Sequence, residues 1–449
     1  MKLKLSKKDI KANRGITLIA LVITIIVLLI LAGITIASLT GNNAIISKSG
    51  EAKNASEIAN EKEELEVEVI RFSDKRGNLD PDKVVNGLNK DLKNLKEATN
   101  TNGKFPVKVE YKNGHKYQIT EDGDIFISVD AGDTAPSDSN ALYSSNNYTA
   151  VIPAGFTVSN QSGESSIETG LVIRDDDGNE FVWIPVGIPW KTDSTKTITL
   201  SRYKFDDNGV PDDKGANTID DYYTELASSQ YGEAVAKTDV TSANGFIAKT
   251  NAAGGFWIGR YEARIEGYTS VKTNCPYSDP NWVGYTGGKL VEKPGAQVFN
   301  FITQNKASEL SRSMYSTNNY FESDLINSYA WDTATLFLQE YDNRTYNINT
   351  NSNYKAKYSR QIRLSTGLKN TGTNASSITD ANKDKICNVY DMADNCYEWT
   401  TETCSDSSFP CVLRGGYYDN SDYYTSYRYS DGTNYALVSY SFRPVLYIK

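Results

Sequence analysis

Side chains that often carry catalysis are scarce in this chain of 449 residues. The single histidine, His115, lies in the polar stretch KNGHKYQ, which is typical of a turn and gives it no chemical role. Five cysteines occur without any C-x-x-C spacing, which argues against zinc and thioredoxin-type chemistry. They are Cys275, Cys387, Cys396, Cys404 and Cys411. We therefore assign no catalytic residue and no required cofactor.

The segment from Gly415 to Phe442 has the composition of a binding surface instead. Eight of its 28 residues are tyrosine, interleaved with Asn, Ser and Asp, whereas Lys, Glu, Gln, Met, Trp and His are absent. Tyrosine gives large, stiff contact area at low entropic cost, and small polar residues add adaptable hydrogen bonding. The predicted ligand-binding residues are Tyr417, Tyr418, Asp419, Asn420, Ser421, Asp422, Tyr423, Tyr424, Ser426, Tyr427, Tyr429, Asp431, Asn434, Tyr435 and Ser439.

Charge limits the partners of such a surface. The formal net charge of -9 argues against nucleic acid, because no broad basic face is available to replace phosphate counterions. Positive charge is concentrated at the start, where five of the first eleven residues are lysine.

In an exported protein, Cys404 could pair with Cys411, or Cys387 with Cys396, and at least one cysteine stays unpaired.

An uncharged apolar segment follows the basic leader. Residues 16–39 exceed the roughly 20 residues that a helix needs to cross a bilayer. The preceding lysines stay cytoplasmic under the positive-inside rule, which places the rest of the chain outside the cell. We therefore predict a single-pass protein of the cell membrane with its C-terminus at the cell surface.

The junction of leader and apolar segment resembles the type IV prepilin leader. The basic run ends at Arg14-Gly15, and the apolar run begins abruptly at Ile16. The resemblance implies cleavage between Gly15 and Ile16 by a prepilin peptidase, and assembly with other pilin subunits. Ala20 stands where most major pilins have glutamate, which suits a minor or tip subunit. The alternative is an uncleaved signal anchor that only tethers the protein.

Periodicity divides the rest of the chain into two parts. Residues 44–72 are rich in helix formers and continue the stalk, and a second helix is predicted over residues 82–98. Alternating residues with turns at Asn113-Gly114 and Asp122-Gly123 predict hairpins. The Ser- and Asn-rich residues 131–150 are typical of a linker. The predicted order is leader 1–15, transmembrane and stalk helix 16–72, small α/β pilin-like headpiece 73–130, linker 131–150 and distal domain 151–449.

The distal domain resembles the formylglycine-generating-enzyme family. The matching stretches, in order, are EFVWIPVG at 180–187, GGFWIGRYEAR at 254–264, NVYDMADNCYEW at 388–399, RGGYY at 414–418 and SFRP at 441–444. The resemblance implies a variant of the C-type lectin fold, so the predicted class is α+β. Tyr390 and Trp399 are expected in the core. Arg414 and Arg443 are expected to be buried structural arginines, with ligand contact as the alternative.

The family's chemistry does not carry over with its fold. In the family, two cysteines downstream of the RGG motif bind copper, and this chain has no cysteine after Gly416. We therefore predict that the chain is not an enzyme. The family also binds calcium near this motif, which by position implies a structural Ca²⁺ held by the carboxylates of Asp391 and Glu398 and the main-chain carbonyls of Asp394 and Cys396. Asp394 replaces a glycine of the family, and a metal-free turn is the alternative.

The tail also resembles the variable regions of proteins diversified by retroelements. In those proteins, adenine-directed mutagenesis of Asn-type codons changes the binding face of a C-type lectin scaffold. The substitutions reachable from AAC or AAT match the composition from Gly415 to Phe442. The alternative is a fixed Tyr-rich loop with one ligand, or an ordinary polar surface.

These features predict a surface-displayed, pilin-like adhesin or receptor that binds a protein or glycan on another cell or a phage. Two alternatives come from other classes. One is a membrane-anchored enzyme of the formylglycine-generating family, against which the missing cysteines argue. The other is a purely structural minor pilin, in which the Tyr-rich tail binds nothing.

Overall fold

The computed structural model describes residues 44–205, 211, 223–225, 240–267, 288–295, 298–342, 385–392, 395–418 and 425–449. The predicted leader and transmembrane segment lie outside these ranges, as do Cys275 and Asp394. Among the helices in the described ranges, none combines the length and the apolar character needed to span a membrane.

Two helices begin the described chain. Helix α1, Ala44–Phe72, confirms the helix predicted over residues 44–72. Helix α2, Pro81–Asp91, begins where the Asp80 carboxylate accepts hydrogen bonds from the amides of Asp82 and Lys83. The second predicted helix was too long, because the chain becomes extended at Leu92. Its last part forms a strand, which buries Leu95 and Ala98 against the neighbouring strand.

A six-stranded sheet packs against both helices. Its strands in spatial order are β1 Leu95–Thr101, β2 Lys104–Tyr111, β3 Lys116–Ile119, β4 Ile125–Ser128, β5 Ala141–Ser145 and β6 Tyr148–Ile152. Both predicted hairpin turns are confirmed, with Gly114 and Gly123 at φ of 94° and 87°. The core between this sheet and the helices contains Leu65, Leu88 and Val109.

The stretch predicted as a linker, residues 131–150, instead contains folded structure. Strand β5 and most of β6 lie within it, joined by Asn146 and Asn147 at φ of 52° and 73°. Ala141 and Ala150 are fully buried in a cluster that also contains Trp257 of the distal part. The Ser- and Asn-rich composition belongs to a hairpin turn and to one polar sheet face, which is why it looked like a linker. The domain boundary predicted at Val151 falls inside a strand.

The distal part is mostly sheet, and the α+β class is confirmed. Its helices are α3 Phe246–Ala253, α4 Gln304–Ser313 and α5 Ser328–Tyr341, with a 3₁₀ turn at Ile167–Thr169. Its first strands are β7 Thr157–Val158, β8 Val172–Arg174, β9 Glu180–Pro185, β10 Tyr223–Glu225, β11 Gly255–Gly259, β12 Arg264–Ile265, β13 Leu290–Val291 and β14 Phe321–Leu325. The remaining strands are β15 Lys385–Ile386, β16 Val389–Tyr390, β17 Tyr397–Cys404, β18 Cys411–Arg414, β19 Arg428–Asp431, β20 Tyr440–Phe442 and β21 Pro444–Ile448.

Two larger sheets organise these strands. One has the order β14-β21-β11-β9-β8-β7, and the other has the order β10-β17-β18-β19 with β20 parallel to β17. The motifs EFVWIPVG and GGFWIG form the paired buried strands β9 and β11, in which Trp183 lies opposite Trp257. Trp399 is fully buried, as predicted. Tyr390 is only half-buried and packs on Tyr261 at 5.2 Å between ring centroids.

None of the four described cysteines forms a disulfide, so neither expected pairing occurs among them. Cys387, Cys396, Cys404 and Cys411 are all buried. In the register of β17 and β18, Cys411 lies opposite Thr403, and the Cys404 thiol donates to the carbonyl of Phe409 at 3.0 Å. Burial raises the pKa of the Cys411 thiol to about 12, which makes it a poor nucleophile.

Candidate ligand-binding face

The Tyr-rich segment begins at a strand end in the middle of a sheet. Strands β17, β18 and β19 lie side by side, and residues 415–427 connect β18 to β19. Strand β20 then returns beside β17 in parallel. The connection, here called the face loop, therefore starts and ends on neighbouring strands.

The start of the face loop requires glycine. Gly415 has a φ of 81°, and a Cβ atom there would lie 2.6 Å from the carbonyl oxygen of Met392. Any other residue would be strained and would also collide with backbone. Three residues on, the amide of Tyr418 donates to the carbonyl of Asn395 at 3.2 Å. The carbonyls of Met392 and Asn395 thus lie against the start of the loop.

The end of the face loop is held by two fully buried side chains. The Trp331 indole Nε1 donates to the carbonyl of Thr425 at 2.8 Å. The Arg414 guanidinium donates to the carbonyls of Tyr427 at 3.1 Å and Ser426 at 3.3 Å. All three acceptors are main-chain oxygens. These hydrogen bonds therefore remain available whatever side chains occupy positions 425–427.

Buried ion pairs hold Arg414 and Arg428 in place. Arg414 forms ion pairs with Asp332 and with Glu402, and Arg428 contacts the same two carboxylates at 2.5 Å and 2.9 Å. Arg202 adds a third guanidinium to Glu402. Burial disfavours the ionised Glu402, but the three arginines hold the pKa of its carboxyl at about 2. The predicted structural role of Arg414 is confirmed, and Arg443 is likewise buried against Glu398.

A cluster of aromatic rings supports the surface. Tyr397 is buried, and Tyr417 and Tyr429 pack on it with ring centroids at 4.9 Å and 5.4 Å. Beneath it, Tyr440 packs edge to face on Trp399 at 5.2 Å. Tyr417 and Tyr429 are half-buried, so each has one side on the core and another on solvent. Such rings are held rigidly and remain available to a ligand.

The predicted ligand-binding residues fall into three groups. Partly or fully exposed are Tyr417, Tyr418, Ser426, Tyr427, Tyr429, Asn434 and Tyr435. Buried are Asp431 and Ser439. Outside the described residues are Asp419, Asn420, Ser421, Asp422, Tyr423 and Tyr424.

The two buried residues differ from the prediction and belong to the framework. The Asp431 carboxylate accepts hydrogen bonds from the Tyr440 hydroxyl at 2.6 Å and from the Gly432 amide at 2.8 Å. The Ser439 carbonyl accepts from the amide of Tyr397 at 2.8 Å. Both residues thus hold the strands below the surface. The composition of the tail could not distinguish them from exposed polar residues.

The calcium site implied by the resemblance lies only partly in the described residues and stays a prediction. The Glu398 carboxylate accepts from the Nε of Arg443 at 2.6 Å, and the same guanidinium also faces the buried carboxylates of Glu262 and Glu292. The amide of Cys396 donates to the buried Glu262 carboxylate at 2.8 Å. Asp391 is buried, and Asp394 lies outside the described residues. Among the described residues, no group of three or more His, Cys, Asp or Glu side chains is placed to hold a metal.

Four residues important to this face were missed in the sequence. Trp331 and Asp332 lie in α5, far along the chain from the loop, and only the fold brings them beneath it. Tyr397 and Glu402 lie in β17, in the motif YEWTTET. The arginines expected to be buried could have indicated the two carboxylates, because a fully buried guanidinium needs carboxylate partners.

Similarity of the chain to known proteins is weak. No protein-family model matches it, and no curated protein sequence matches it. Among solved structures, it is similar to the Major Tropism Determinant M1 variant (TM-score 0.28, 10% identity, covering 78% of this chain and 82% of that chain). The U1 variant gives a TM-score of 0.29, 11% identity and coverage of 78% and 83%. The crystal structure of CarF gives a TM-score of 0.28 and 14% identity, covering 43% of this chain and 87% of that chain. TM-scores of this size do not establish a shared fold.

Proposed function

We propose that this protein is a surface-displayed receptor or adhesin that binds a protein or glycan through its Tyr-rich face. One observation carries the proposal: the face loop is anchored through main-chain atoms. Trp331, Arg414 and the carbonyl of Asn395 hold it through bonds that use no side chain of Tyr418, Ser426 or Tyr427. Side chains at these positions can therefore change without loss of these anchoring bonds.

The chemistry of the face suits apolar and carbohydrate surfaces. Half-buried tyrosine rings offer flat apolar area, and their hydroxyls add hydrogen bonds at the rim. The charged groups beneath the face are paired with one another. Recognition therefore depends on shape and on aromatic contact, with Asp and Asn side chains fixing orientation.

We further propose that the distal part is C-type-lectin-like and that a retroelement diversifies the face. Main-chain anchoring is what such a scaffold requires, because substitutions then change the ligand contacts and spare the fold. Sequencing the locus in many cells of one lineage tests this idea. Substitutions confined to adenines between codons 416 and 440 would support diversification, whereas a uniform sequence would refute it.

The N-terminal segment would place this face outside the cell. Its support is sequence alone: the basic leader, the junction Gly15-Ile16 and the uncharged residues 16–39. In this proposal a prepilin peptidase cleaves after Gly15, and the protein stays in the membrane or joins other pilin subunits. Mass spectrometry of the N-terminus decides the matter, since an intact Met1 identifies a simple anchor.

A binding assay tests the function itself. The labelled full chain is measured by flow cytometry against a panel of bacterial strains and phage particles. The variant with Tyr427, Tyr429 and Tyr435 changed to alanine is expected to lose binding to every particle that the parent binds. Tyr320→Ala is the matched control, because this half-buried tyrosine packs on a different core cluster. Equal binding by the triple variant would make the protein a structural subunit.

A further inference from the structure

The first sheet carries a second surface that is unrelated to the Tyr-rich face. In β2, Val107 and Val109 point to the helices, so Lys104 and Lys108 point to the opposite side. On that side a row of polar side chains crosses the sheet, one from each strand. The row consists of Thr99, Lys108, Gln118, Ser128, Ser144 and Thr149.

Gln118 ties this polar row together. It is fully buried, its Nε2 donates to Ser128 Oγ at 2.9 Å, and its Oε1 accepts from Ser144 Oγ at 2.9 Å. A glutamine with both ends bonded is locked in one rotamer. The floor of this side of the sheet is therefore rigid and polar, as preformed binding sites are.

Two adjoining cavities lie over this floor. One of about 300 Å³ is lined by Lys104, Phe105, Lys108, Ser144 and Asn146, among others. The other, of about 240 Å³, shares Lys108 and Ser144 with it. The shared residues make the two cavities one groove, of which the larger cavity has room for a single sugar ring.

Charge differs between the two ends of the groove. At the smaller cavity, Lys116 pairs with Asp130, and Glu110 pairs with Lys96. The larger cavity is lined by two lysines and by no aspartate or glutamate among the described residues. Neither Lys104 nor Lys108 has a carboxylate partner within the described ranges. The larger cavity therefore carries more positive charge than the smaller one, which Glu97 and Glu110 line beside Lys108.

We propose that this groove binds an acidic sugar, with its carboxylate at Lys104 and Lys108. The amide and hydroxyl side chains around the cavity, such as Asn146 and Ser144, match the hydroxyls of a sugar ring. Pro106, which also lines this cavity, offers an apolar surface to the apolar side of the ring. A bare phosphate would use neither the ring nor the extended row, so a uronic-acid unit within a polysaccharide fits better.

Calorimetry of the full chain in mild detergent tests the proposal with three probes: a galacturonic-acid tetrasaccharide, a galactose tetrasaccharide and inorganic phosphate. The acidic tetrasaccharide is expected to bind, with an affinity that falls as salt rises. Changing both Lys104 and Lys108 to glutamate should weaken it by about tenfold or more. The double variant Lys75→Glu, Lys93→Glu makes the same charge change at exposed sites and should leave the affinity unchanged.

Each other outcome overturns the inference. Equal affinity for the neutral tetrasaccharide would remove the role of the lysines, and equal affinity for phosphate would remove the role of the sugar ring. An unchanged affinity in the Lys104 and Lys108 variant would also remove the role of the lysines, provided that circular dichroism shows the variant to be folded. The milder Lys104→Gln, Lys108→Gln variant repeats the test if the first is unfolded. Failure of all three probes to bind would also refute it.

Discussion

The indole nitrogen of Trp331 donates a 2.8 Å hydrogen bond to the carbonyl oxygen of Thr425, 94 residues further along the chain. The bond joins helix α5 to the end of the face loop. Because its acceptor is a main-chain atom, the bond is indifferent to the side chain at position 425. The framework thus supports the end of the loop through an atom that every residue type carries.

Trp331→Phe tests this anchor. It removes the indole N–H and leaves a buried carbonyl without that donor, which costs about 1–3 kcal/mol. Trp183→Phe is the matched control, since Trp183 is also fully buried and its Nε1 has no hydrogen-bond partner among the described residues. We expect the free energy of unfolding, measured in urea, to fall by about 1–3 kcal/mol more in Trp331→Phe than in Trp183→Phe. Equal losses in the two variants would contradict the anchoring role.

Gly415→Ala tests the start of the loop. Gly415 and Gly155 share a φ of 81°, but only the Gly415 Cβ would meet backbone, at 2.6 Å from Met392. Alanine at Gly155 lowers the free energy of unfolding only by the strain of the left-handed backbone conformation, about 1 kcal/mol. We expect Gly415→Ala to cost at least about 2 kcal/mol more. Similar melting temperatures for the two variants would show that the contact with Met392 relaxes easily.

Stability should also depend on pH through Glu402. Its pKa is held at about 2 in the folded chain, against an ordinary value of 4.5. A lowered folded pKa stabilises the protein above pH 4.5, and this contribution of about 3 kcal/mol is lost as the pH falls from 4.5 towards 2. Urea unfolding from pH 7 to pH 2 is therefore expected to show a gap between parent and Glu402→Gln that narrows over this window. Glu309→Gln, at an exposed site, should track the parent throughout. A gap that stays constant with pH would refute the assignment.

Sequence patterns predicted the local structure where one cause dominated. Helix α1 followed from long stretches of helix formers with few breakers, and the turns at Gly114 and Gly123 followed from their Asn-Gly and Asp-Gly pairs. Residues 95–98, the start of β1, were predicted as helix because they form helices well. Pairing with β2, which buries Leu95 and Ala98, overrides that local preference.

The candidate face was only partly visible in the sequence. The tyrosines and the structural arginines were identified from composition and motif, but their partners were not. Asp332 and Glu402 lie 82 and 12 residues from Arg414. No local pattern links such separated charges. Burial of Asp431 and Ser439 likewise depends on strands that meet only in the fold.

The most direct test is saturation mutagenesis, in which each position is changed to every other amino acid. It compares the loop positions Tyr418, Ser426 and Tyr427 with the framework positions Trp331, Arg414 and Gly415. Each displayed variant is scored for resistance to proteolysis, which reports folding, and for binding to a particle that the parent binds. We expect most loop variants to remain as resistant as the parent while many lose binding, and most framework variants to lose resistance. Loop variants that unfold as often as framework variants, or that all retain binding, would contradict a face loop held by its main chain and read by its side chains.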